Sequence, residues 1–160
     1  MEALFPWLLF LHVLGAIVAF GPTFAFSFIG AMGGAEPQHA NFATRVSQTI
    51  SSRLLFPIGI TLPITGAGLI AVRQVNPFDR LNWWLAIAIV LYIVAFGYSF
   101  FGQRKLVERV IEITSTPPPP GAGGPPPELM SLVKRIQRGG MVLGVLLVLI
   151  VFLMVVKPRF

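Results

Sequence analysis

The sequence predicts an all-α membrane protein: a bundle of four transmembrane helices with both termini on the same side, the outer or periplasmic one. Three observations carry this expectation. First, four windows, residues 3–35, 54–72, 81–103 and 139–156, contain no Asp, Glu, Lys or Arg. A bilayer core of about 30 Å needs about 20 mostly apolar residues in a helix, and each window meets or nearly meets that length. Second, 55% of the 160 residues are hydrophobic and 11% are charged, with 12 Lys or Arg against 6 Asp or Glu. A soluble domain has about a quarter of its residues charged, and a disordered chain needs low hydrophobicity and high charge. Buried helices of a soluble protein would also present charged outer faces, which these windows lack. Third, the basic residues divide unevenly between the two ends of such a bundle. Arg73, Arg80, Lys157 and Arg159 fall on the side of the termini, whereas Arg45, Arg53, Arg104, Lys105, Arg109, Lys134, Arg135 and Arg138 fall on the other. Cytoplasmic segments are enriched in Lys and Arg, which places both termini outside.

The spans are expected at about residues 4–32, 54–73, 82–103 and 139–157, forming a single membrane domain. The first window is too long for one straight span at about 1.5 Å per residue, so Pro22 is expected to kink it or mark its exit from the hydrocarbon. A cleaved signal peptide wants a basic start and a short apolar stretch. Glu2 and the length of the window point instead to a retained helix. Residues 36–53 read as a short cytoplasmic connecting helix, because Phe42, Val46 and Ile50 repeat every four residues. It either packs on the bundle or lies on the membrane surface. In the second span Pro57 and Pro63 free carbonyls that Thr61 and Thr65 can bond. Asn76-Pro77 punctuates a tight outer turn. Residues 112–128, with Pro117 to Pro120, Gly121 to Gly124 and Pro125 to Pro127, read as a Pro/Gly-rich cytoplasmic loop, a semi-rigid spacer rather than a recognition segment. Trp7, Trp83 and Trp84 all fall at helix ends on the outer side, as interfacial anchors do.

Chemistry is sparse inside the windows. His12 is their one ionisable side chain apart from Tyr92 and Tyr98, and an intramembrane ionisable group is a functional candidate. Neutral imidazole can ligate haem iron, or it can bond a neighbouring helix. Within one chain Met154 or Lys157 could be the second ligand, and His12 of a second copy is a third arrangement; His39 lies in the cytoplasmic segment and cannot reach. No carboxylate lies in a span, so a carboxylate proton relay is absent. The chain has no cysteine, which removes disulfides, thiolate metal sites and cysteine nucleophiles. The zinc-hydrolase pattern H-E-x-x-H does not occur. Small-residue pairs are more prominent: Gly30 with Gly34, Ala67 with Ala71, and Gly140 with Gly144, spaced to let helices approach closely. Arg104, Lys105, Arg109, Lys134, Arg135 and Arg138 form a basic collar that sets topology and can meet anionic lipid. The basic balance does not indicate nucleic-acid binding, since no soluble domain presents it.

Leu11-His12-Val13-Leu14-Gly15-Ala16, Pro63 to Gly66 with Gly68 and Leu69, and Phe152-Leu153-Met154-Val155-Val156-Lys157-Pro158 resemble one bacterial family of predicted integral membrane proteins, DUF2269. The resemblance spans most of the chain except the Pro-rich loop, and it implies a fold rather than an activity. In plan the chain is similar to the copper-resistance D and haem-binding protoporphyrinogen oxidase types of four-helix membrane proteins, which carry an early His in the first helix. That similarity would make His12 a haem-ligand position and Lys157 a second functional residue. The departure at Phe20-Gly21-Pro22-Thr23, where the oxidase type has a Trp and further polar residues, argues against protoporphyrinogen oxidation. The expected function is a non-catalytic accessory or structural subunit of a larger membrane complex of electron-transfer type, in the bacterial inner membrane. The expected partners are the bilayer and either other membrane subunits or a second copy. The alternative is a haem b-binding redox protein using His12, and a weaker one is a small-solute or metal channel.

Overall fold

The computed structural model describes residues 2–116 and 124–158. Every regular element in them is helical: α1 (Phe5–Ala35), α2 (Ala40–Ile50), α3 (Phe56–Arg73), α4 (Trp83–Gly97), α5 (Arg104–Ser115) and α6 (Pro127–Val156). Short 3₁₀ turns at Glu2–Leu4 and Pro37–His39 flank α1. Two π-helical turns, Ser51–Leu55 and Tyr98–Gln103, join α2 to α3 and α4 to α5.

Those π turns change the architecture from what the sequence suggests. Segment 36–53 is helical, but it is no separate connector: Pro37–Arg73 runs as one helix of 37 residues. Likewise Trp83–Ser115 runs as one helix of 33 residues. The loop expected over 112–128 is shortened at both ends, because α5 continues to Ser115 and α6 begins at Pro127. The Pro-rich spacer expected there falls in part on residues 117–123, outside the described residues. Neither does α1 end at Pro22; it continues for 31 residues in all. The four long helices are therefore about 45–55 Å long, well beyond an apolar core of about 30 Å. At the basic end they project past it as a helical stub made of α2, α5 and the first turns of α6.

The helices are antiparallel neighbours. The main packing partner of α1 is α3, that of α4 is α6, and α2 bridges α1 and α5. Leu8 of α1 sits against Gly68 of α3, and Gly15 of α1 against Leu62. A ladder of rings ties the pairs together: Tyr92 stacks on Phe96 at 5.8 Å and Phe96 on Phe100 at 6.3 Å. Phe56 of α3 meets Phe100 edge-on at 5.1 Å, and Phe20 of α1 meets Tyr92 at 6.4 Å. Such rings attract beyond their buried area. The buried set is small, with Ala19, Leu62, Leu85, Ala88, Leu147, Ile150 and Leu153 among it. Trp7, Phe28 and Val155 are 69%, 73% and 75% exposed, the outside expected of helices whose solvent is lipid. The protein is an integral membrane protein with four spans.

Close approach falls on glycines other than the expected ones. A Cβ on Gly59 would lie 2.8 Å from the Phe96 ring, and Gly33 meets Ala43 of α2. A Cβ on Gly30, Gly34, Gly140 or Gly144 would meet nothing within 4 Å, and Ala67 and Ala71 are exposed. A side chain added at these four glycines would meet no neighbouring helix of the chain among the described residues. Gly59→Leu should cost about 1–3 kcal/mol by overpacking, read as a lower unfolding midpoint in detergent. Gly34→Leu should stay within about 0.5 kcal/mol of the parent. Equal losses would contradict this packing.

Candidate functional site

Three polar side chains of the spans, His12, Tyr92 and Gln103, reach a neighbouring helix. His12 sits two turns into α1, half-buried, with its ring over the flat backbone of Gly66 in α3. Its Nδ1 lies 2.9 Å from Thr65 Oγ1. The Thr65 hydroxyl is also 3.1 Å from the Leu62 carbonyl and 3.2 Å from the Thr61 carbonyl. A hydroxyl has one proton, and a helical Thr gives it to the carbonyl of the preceding turn. The Thr65 oxygen then accepts from His12 Nδ1–H. This assignment leaves the Nε2 lone pair unspent.

The second contact follows from a proline. Pro63 has no N–H, so the Gly59 carbonyl one turn earlier loses its helical donor. Tyr92 Oη of α4 donates to that carbonyl at 2.6 Å. Thr61 and Thr65, the expected donors, bond Ile58, Leu62 and Thr61 carbonyls instead. The sequence reading missed Tyr92. The available signal was the missing N–H of Pro63, which requires a donor from another helix.

A third contact lies at the far end of the spans. Gln103 Nε2 of the π turn donates to the Ile136 carbonyl of α6 at 3.1 Å, while its Oε1 is buried without a partner among the described residues. Tyr98 and Gln103 both press on Gly139, which leaves no room there for a side chain.

The residues expected as a ligand set make their contacts on different helices. His12 is engaged by α3, whereas Lys157 lies at the end of α6 with its Nζ 5.8 Å from the Trp84 ring of α4. Met154 is half-buried on α6. Among the described residues no group of three or more His, Cys, Asp or Glu could hold a metal ion. Arg73 stacks over Phe5 at 3.9 Å, so the end of the bundle that carries the termini has two cation–aromatic contacts. Trp83 and Trp84 open α4 and are half-buried, and Trp7 stands outward.

At the opposite end the basic collar divides in two. Arg104 pairs with Glu108 at 2.8 Å, and Arg109 with Glu112 at 2.7 Å and Glu128 at 3.0 Å. Hydrogen bonds to these last two carboxylates hold the exposed Arg109 guanidinium above its ordinary pKa range. Arg45, Arg53, Lys105, Lys134, Arg135 and Arg138 form no ion pair among the described residues. Asn41 Nδ2 of α2 donates to Thr114 Oγ1 at 2.9 Å and to the Ile111 carbonyl at 3.2 Å, fastening α2 to the end of α5.

Tyr92→Phe should lower stability by about 0.6 kcal/mol, the average for an interhelical hydrogen bond in a membrane. Pro63→Ala restores a helical N–H, so Tyr92→Phe in that background should cost less. A thermodynamic cycle in micelles reads the difference, and an unchanged cost would sever the link between Tyr92 and the proline gap.

A family model described as predicted integral membrane protein (DUF2269) matches residues 6–158. No curated protein and no solved structure matches the chain.

Proposed function

The chain belongs to the DUF2269 family of predicted integral membrane proteins, and on that premise we propose that it is a non-catalytic accessory subunit of a larger membrane complex. The observation that carries this reading is the outward direction of its small-residue seams. Gly30, Gly34, Gly140 and Gly144 meet nothing in their own chain, and such seams are what helices use to approach one another in lipid. The polar groups of the spans support the same reading, since they are used for internal fastening and none is grouped with a carboxylate. The partner proposed is another membrane subunit, in a complex of electron-transfer type. Extraction in a mild detergent should recover the chain with a membrane protein in fixed ratio. Gly140→Leu with Gly144→Leu should release that protein while the chain keeps its own melting midpoint. Recovery of the chain alone, both after extraction and after cross-linking in intact membranes, would sink the proposal.

The alternative is a haem b-binding redox protein, and the observation favouring it is the pairing of His12 Nδ1 with Thr65 Oγ1. A ligating His commonly gives its other ring N–H to an oxygen acceptor, as Nδ1 does to Thr65. Haem would supply one-electron chemistry, and His12 would be the residue that holds it. Oxidised and reduced absorption spectra of the purified complex decide it. A Soret band that moves on reduction and disappears in His12→Ala establishes the haem reading, and a spectrum of protein absorption alone removes it.

The location proposed is the inner membrane of a bacterium with both termini outside, on the balance of basic residues. The chain has no native cysteine, so single introduced thiols report topology cleanly. Asn76→Cys should react with an impermeant maleimide on intact cells, and Ser131→Cys only after lysis. The reverse pattern would invert the topology.

A further inference from the structure

We infer that α6 carries a binding site for one anionic phospholipid, with its headgroup on Lys134, Arg135 and Arg138 and one acyl chain in the groove beside them. Two independent features meet there. The first is charge. The face of α6 turned to the bundle is marked by Leu132, Gly139, Leu147, Ile150 and Leu153. Lys134, Arg138, Met141 and Val145 recur on the opposite, exposed face at the spacing of helical turns. Arg135 flanks them and is also exposed. The carboxylates of this end lie against other residues, Glu36 by His39, Glu108 by Arg104, and Glu112 and Glu128 by Arg109. The three cations of α6 therefore keep their full charge.

The second feature is shape. Met141, Val142, Val145 and Leu146 line a shallow apolar groove that begins one turn below Arg138, on the hydrocarbon side. Arg138 lies about 27 Å along α6 from its outer end at Val156. It therefore stands close to the boundary of an apolar core about 30 Å thick. A phosphate at that level reaches the guanidinium with charge-assisted hydrogen bonds, while an acyl chain descends along Val142 and Val145. A groove on α1, lined by Pro6, Leu9, Phe10 and Val13 among others, has no Lys or Arg on its own helix, and Arg73 of α3, which reaches that end, is stacked on Phe5. The cations thus select the α6 groove for an anionic lipid over a neutral one. The Gly140 and Gly144 seam lies on a neighbouring face of the helix, about 100° away per residue step, so lipid and partner subunit do not compete for one surface.

Native mass spectrometry of the full chain, delipidated and titrated with phosphatidylglycerol or with phosphatidylcholine of the same acyl chains, tests this. One phosphatidylglycerol should bind in preference to phosphatidylcholine. Arg138→Gln should weaken it about fivefold, and Lys134→Gln, Arg135→Gln and Arg138→Gln together about a hundredfold, the loss expected for surface charges near anionic lipid. Val145→Trp, which fills the groove and leaves every charge in place, should also weaken it. Arg53→Gln with Lys105→Gln, basic residues outside the lining of that groove, should leave binding unchanged. If the triple variant does not fold, Arg138→Gln and Val145→Trp carry the test by themselves. Equal binding of the two lipids overturns the proposal. So does an equal loss in the Arg53 and Lys105 variant, which would reduce the site to a diffuse collar. A second copy of the chain in place of the lipid would also overturn it.

Discussion

In hydrocarbon a backbone N–H or C=O has no water to turn to, and each one left unpaired costs several kcal/mol. The rest of this structure depends on that constraint. It demands helices where charge is absent, and it demands a repair wherever the helical ladder is broken. Pro63 makes such a break, and the repair comes from Tyr92 of another helix at 2.6 Å. The same Tyr heads the ring ladder through Phe96 and Phe100. One proline thus sets the register of α3 on α4, and Gly59, which supplies the carbonyl, must stay bare for the Phe96 ring to reach it.

Pro57 has a comparable effect. It removes the donor for the Arg53 carbonyl, and the chain passes this region through the wider π turn Ser51–Leu55, with Phe56 N–H bonded to the Ser51 carbonyl. A π turn inserts a residue without stopping the helix. It lets α2 and α3 remain one rod, and Tyr98–Gln103 does the same for α4 and α5. The consequence is a helical stub beyond the membrane instead of a set of loops. The stub presents charge in layers: pairs among Arg104, Glu108, Arg109, Glu112 and Glu128, and unpaired cations on Arg53, Lys105 and α6. A positive layer at the depth of lipid headgroups serves topology and also the lipid site inferred on α6. The π turn at Tyr98–Gln103 further brings Gln103 onto Gly139 and Ile136, locking the α4–α6 pair at the level where the cations begin.

Much of the fold was legible because hydropathy is a local property: a window without charge is a membrane helix whatever it touches. The location of His12 among apolar residues was equally plain. Its role was not, because a ring nitrogen takes its meaning from the atom opposite, and Thr65 lies 53 positions away in the chain. The small-residue pairs illustrate the same limit. Gly30 with Gly34 and Gly140 with Gly144 carry the spacing of a helix contact, yet spacing contains no direction. Gly59, Gly66, Gly68 and Gly139, which lack that pattern, are pressed by neighbours.

The chain alone therefore determined the number of spans, their helical form, the uneven placement of basic residues and the absence of an intramembrane carboxylate, since each of these is read residue by residue along one strand of sequence. Tertiary structure decided which glycines are seams, which donor mends the proline gap, how far the helices run beyond the membrane and which cations remain unpaired. Those outcomes turn on contacts between residues far apart in sequence, where a rotation of one helix by a single residue, about 100°, exchanges an inward face for an outward one.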